Sequence, residues 1–177
     1  MADWFWYWWF YSLAGYGLEK WFAALTHAKK QNRKGFLLLP LCPVYGLGMT
    51  AVLALPPALQ GGGWLVLWGS LVATAVEYVV HWAYDRLLGV QFWDYSSLRG
   101  NLRGRVCLPF SLIWGVLIAA AVWRVQPLLD LWIPQIPSWL TLAMLLTVTA
   151  DAACSVRVLQ LTHDTERLHL SALRRIE

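Results

Sequence analysis

Apolar positions in this chain run in five blocks, about 4–24, 37–59, 64–84, 106–125 and 137–158. Each block holds roughly 20 residues, the length a helix needs to cross a bilayer core. The pattern predicts an all-α polytopic membrane protein with five transmembrane helices. The blocks are separated by short polar segments of alternating charge. Residues 20–34 carry Lys20, Lys29, Lys30, Arg33 and Lys34, and residues 56–63 carry no basic residue. The next segment carries Arg86, Arg99, Arg103 and Arg105, the one after it only Arg124, and the tail Arg157, Arg167, Arg174 and Arg175. Thirteen of the fourteen basic residues thus fall on one side, which by the positive-inside rule is cytoplasmic. An N-out, C-in topology follows.

Composition agrees with this reading. A chain of 177 residues that is 59% hydrophobic and 14% charged has more apolar surface than a soluble core of its size can bury. Trp4, Trp6, Trp8, Trp9, Trp64, Trp132 and Trp139 all fall at predicted outer helix ends, as an aromatic belt does. The first apolar run has no basic n-region and no small-residue cleavage site before it, so the first helix is expected to be retained. The net charge of +4 follows from topology, and the expected partner is the lipid bilayer rather than nucleic acid. Cys42, Cys107 and Cys154 show no C-x-x-C spacing and are expected as free thiols.

Three acids interrupt the apolar blocks. Glu19 follows Trp4 by fifteen residues, Glu77 follows Trp64 by thirteen, and Asp151 follows Ser138 by thirteen. At about 1.5 Å per residue all three lie roughly 20 Å below the outer belt. Carboxylates at that depth are costly and face a protein interior or a wet cavity, or else mark the cytoplasmic interface.

An internal repeat links two of them. Asn32, Gly35, Pro40, Tyr45 and Gly46 match Asn101, Gly104, Pro109, Trp114 and Gly115 at an offset of 69, and Ser12, Leu13 and Glu19 match Ser70, Leu71 and Glu77 at an offset of 58. The reading is one transmembrane domain over 1–177. It comprises repeat one at about 4–59, repeat two at about 64–127, and a fifth helix with an amphipathic tail at 134–177. The two parallel two-helix repeats would be related by a pseudo-twofold axis along the membrane normal. Pro40, Pro43 and Pro109 near the starts of the second and fourth helices predict irregular backbone there.

Glu77, His81 and Asp85 fall at i, i+4 and i+8, on one helix face. Such a triplet relays a proton, binds a metal or pairs with a cation. With no H-E-x-x-H spacing in the chain, a network with arginine is expected over a metal centre. The segment WDYSSLRGNLRGR (93–105) follows directly, and Arg105 at its end is placed to hold a carboxylate or a phosphate. There is no G-x-S-x-G and no G-x4-G-K-[ST] loop, so no catalytic residue is assigned and any ATP hydrolysis belongs to another chain. No cofactor is identified.

The chain resembles a known family over about residues 11–127. Tyr11-Ser12 with Gly15 and Glu19, Asn32-Arg33, Gly35-Phe36-Leu37, and Pro40 through Cys42-Pro43 to Tyr45-Gly46 are similar to the first half of the CmpB-like type IV ABC-transporter permeases of bacteria. Glu77-Tyr78, Asp85, Trp93-Asp94-Tyr95-Ser96, Asn101-Leu102, Gly104-Arg105 and Cys107-Leu108 match the second half. Lys34 departs from the family's N-R-G-F pattern, and Asp85 stands where glutamate is common.

The resemblance implies a multi-pass permease-like subunit of the bacterial inner membrane that works with a separate ATPase, and a homodimer is expected for so small a chain. The expected substrate-binding residues are Glu19, Arg33, Tyr45, Glu77, His81, Asp85, Asp94, Tyr95, Asn101 and Arg105, lining a polar cavity near the cytoplasmic side. Two other readings stay open. One is an intramembrane enzyme acting on lipid, with His81 or Glu77 as base and Arg105 on phosphate; the other is a noncatalytic membrane scaffold.

Overall fold

Helices follow the apolar blocks except where proline intervenes. The structure is a computed structural model describing residues 2–26 and 35–168. Helix α1 spans Ala2–Leu25, α2 Pro43–Leu53, and α3 Gly62–Ala83 with a π-type turn at Tyr84–Leu88. Helix α4 runs from Leu108 to Gln135, and α5 spans Ser138–Thr162. Among the described residues, Gly62–Leu88, Leu108–Gln135 and Ser138–Thr162 are long and apolar enough to cross a membrane.

The second block departs from the expected continuous helix over 37–59. Its α-helix has eleven residues, roughly 16 Å of rise against a core of about 30 Å. Residues 35–42 are irregular instead: Pro40 and Pro43 disfavour helical backbone at the residues before them, and Pro43 takes the first helical position, where a missing N–H costs nothing. Asp151 of α5 stabilises this irregular backbone. Its carboxylate accepts from Leu38 N at 3.0 Å and Leu39 N at 2.8 Å, so it serves this segment rather than a shared acidic site. The fourth block departs in the other direction. Pro127 does not stop the helix after residue 125; a widened turn at Ala121–Val125 absorbs the missing donor and the helix continues.

Two helix crossings are set by glycine. A Cβ on Gly46 of α2 would overlap Ser12 Oγ and Trp8 O of α1, and a Cβ on Gly115 of α4 would overlap Ser70 Oγ and Val66 O of α3. These contacts pair residues that the offsets of 58 and 69 equate. Tyr11, Met49, Val52, Leu65 and Ile118 fill the core between the four helices. Helix α5 packs outside them. Trp6 Nε1 donates to Thr141 Oγ1 at 2.9 Å, and Leu159 packs with Leu88 and Val90.

The polar segment after α3 folds back under the bundle. Strands β1 (Asn101–Leu102) and β2 (Val106–Cys107) pair antiparallel, with Asn101 opposite Cys107. Arg33 and the tail from residue 169 onward lie outside the described residues.

Candidate functional site

A cavity of about 310 Å³ opens between α1, α2, α3, α4 and the folded-back segment. Two acids line it. Tyr45 Oη donates to Glu19 Oε1 at 2.6 Å, and Tyr95 Oη donates to Glu77 Oε1 at 3.0 Å. Trp114 stands beside Glu77 as Tyr45 stands beside Glu19, and the two rings meet edge to face with centroids 5.3 Å apart. The remaining wall is aromatic and aliphatic, including Phe36, Tyr84, Trp93 and Ile118.

Local sequence explains how Tyr95 reaches Glu77. Asp94 accepts from Ser96 N and Ser96 Oγ, both at 2.8 Å, closing a turn that holds its carboxyl below the usual carboxylate range. Asn101 Oδ1 accepts from Gly104 N at 3.0 Å, and Gly104 has φ 70°, a left-handed conformation. A Cβ at Gly104 would also crowd Asp94 Oδ1 at 2.6 Å. The N-x2-G spacing is therefore a hairpin device. Tyr95 N donates to Gly104 O at 2.7 Å and Trp93 Nε1 to Arg105 O at 2.9 Å, which locks the segment with both rings facing the cavity. The Tyr95 ring stacks on Phe110 at 5.1 Å, and burial followed by the nearby Glu77 charge pushes its hydroxyl pKa up.

Of the residues expected at the site, Glu19, Tyr45, Glu77 and Tyr95 line the cavity. His81, Asp85, Asp94, Asn101 and Arg105 do not. His81 Nε2 is 3.0 Å from Trp93 O, and its ring packs edge to face on Trp93. Arg105 Nη2 pairs with Asp85 Oδ2 at 2.9 Å, while its guanidinium lies 5.2 Å from the Tyr78 ring centroid. Of the Glu77, His81 and Asp85 face, Asp85 pairs with arginine, while Glu77 accepts from Tyr95 and His81 contacts the Trp93 carbonyl. Among the described residues no three His, Cys, Asp or Glu side chains converge as a metal centre. Sequence reasoning did not place Trp93, Tyr84 or Trp114 at the site, although the offset of 69 already equated Trp114 with Tyr45.

A family model described as "Putative ABC-transporter type IV" matches residues 6–156. The chain belongs to that family. The match spans α1 through most of α5, so every cavity-lining residue of this type IV ABC-transporter family member falls within it. No curated protein and no solved structure matches the chain. Family membership and the apolar helices make this a membrane protein related to ABC transport.

Proposed function

We propose that this chain is the permease-like subunit of an ABC-type transporter of the bacterial inner membrane, energised by a separate ATPase. Its small substrate passes through the cavity between Glu19 and Glu77. The observation that carries this reading is the pair of tyrosine-capped carboxylates around one cavity in a member of an ABC-transporter family. Intramembrane acids facing a cavity mark substrate or ion paths.

The supporting architecture is a duplicated helix pair. Gly46 against Ser12 and Gly115 against Ser70, together with Tyr45 at Glu19 and Trp114 at Glu77, support a pseudo-twofold axis near the Tyr45–Trp114 contact. The charge asymmetry of the connections supports an N-out, C-in chain, with α1 and the 35–53 segment completing five passes. So short a chain supplies one half of the path, and a homodimer supplies the other.

The test separates transport from a structural role. In the native host, Glu77→Gln should accumulate normally yet fail to complement a deletion strain. A mere scaffold would lose function only in proportion to lost protein, and full complementation by a normally accumulating variant would overturn the proposal.

A further inference from the structure

The chemistry of the cavity wall identifies the class of substrate; this inference rests on the cavity being the substrate site. Among the described residues, Glu19 and Glu77 line the cavity and no Lys, Arg or His does. Glu77 is only 7% exposed, and while Tyr95 satisfies Oε1, Oε2 is buried without a hydrogen-bond partner. A buried carboxylate oxygen in that state is costly, and a cation is the ligand that best offsets the cost.

The rest of the wall has the same preference. Phe36, Tyr45, Tyr84, Trp93, Tyr95 and Trp114 line the space, and aromatic rings carry quadrupoles that attract cations. Lys20 Nζ already lies 5.1 Å from the centroid of Tyr16, another lining ring. Three of the lining donors an anion could use are committed elsewhere. Tyr45 Oη serves Glu19, Tyr95 Oη serves Glu77, and Trp93 Nε1 serves the Arg105 carbonyl. Met49, Leu117 and Ile118 complete an apolar lining that suits an organic group better than a hydrated metal ion.

We infer that the cavity takes an organic cation, a quaternary or protonated amine carrying an aromatic or aliphatic group. The charge sits against Glu77 and the apolar part against the aromatic wall. A volume of about 310 Å³ admits a single-ring ammonium compound.

Equilibrium dialysis of the full chain in lipid nanodiscs tests this with two radiolabelled probes of similar size, benzyltrimethylammonium and phenylmethanesulfonate. The wild type should bind the cation saturably and the anion not at all. Glu77→Gln should weaken the cation by about ten- to a hundredfold, the scale of a lost charged contact. Tyr84→Leu should weaken it several-fold through the wall, and gives a second variant should Glu77→Gln fail to fold. Equal or tighter binding of the sulfonate would overturn the cation assignment while leaving a ligand cavity in place. Binding of neither probe would also overturn it, and the transport reading would then be decided separately by complementation.

Discussion

The Tyr95 hydroxyl donates to Glu77 Oε1 at 3.0 Å, tying the folded-back polar segment to an acid inside the helix bundle. Tyr95→Phe removes the donor to Glu77 Oε1, while the Phe110 stack remains. A loss of about 1–3 kcal/mol is expected, read as a lower unfolding midpoint in detergent together with faster amide exchange over 93–105.

Glycine at the two crossings is a packing requirement. Gly46→Ala and Gly115→Ala force a methyl group onto Ser12 Oγ and Ser70 Oγ respectively, each with a backbone carbonyl behind it. Each should cost about 1–3 kcal/mol by overpacking. Gly17→Ala, with no atom near its added methyl, should be neutral or stabilising by up to about 1 kcal/mol. Thermal unfolding of the three variants separates crowding from helix propensity.

Asp151 holds a segment that has no helix to satisfy it. Asp151→Ala should strand the Leu38 and Leu39 amides and cost about 2–4 kcal/mol, and Asp151→Asn should recover part of this through its one remaining carbonyl acceptor. Loss of exchange protection at those two amides reports the mechanism.

Much of this fold was legible in the hydrophobic pattern, and the reasons for its failures are local. Helices α1, α3 and α5 begin and end within a few residues of the predicted blocks because their apolar runs contain no interior proline. In the second block, hydropathy does not distinguish a helix from irregular backbone sheltered by a distant acid, here Asp151. The fourth was cut short because a widened turn accommodates Pro127 without breaking the helix. At the site, Glu19, Tyr45 and Glu77 were reachable from depth and repeat spacing. The polar residues of 93–105 read as substrate ligands, yet Asp94 and Asn101 spend their groups on turns and Arg105 on Asp85. Spacing alone does not distinguish a side chain that builds a loop from one that faces a cavity.

The Asp94 turn has a defined pH response. Its folded pKa lies below the ordinary carboxylate value of about 3.9, so its contribution is complete above that value and is lost as pH falls through the depressed one. Exchange of the Ser96 amide should accelerate on acidification, relative to its intrinsic rate, in the wild type. In Asp94→Asn that acid-dependent change should be absent.

The central claim is that this membrane chain works as a transport subunit with an ATPase partner. The most direct measurement is gentle-detergent affinity purification from the native membrane, with quantitative mass spectrometry of what accompanies it. An ATPase subunit in stoichiometric amount is the predicted result. Recovery of the chain free of any ATPase, with its helices intact by circular dichroism, would contradict the claim.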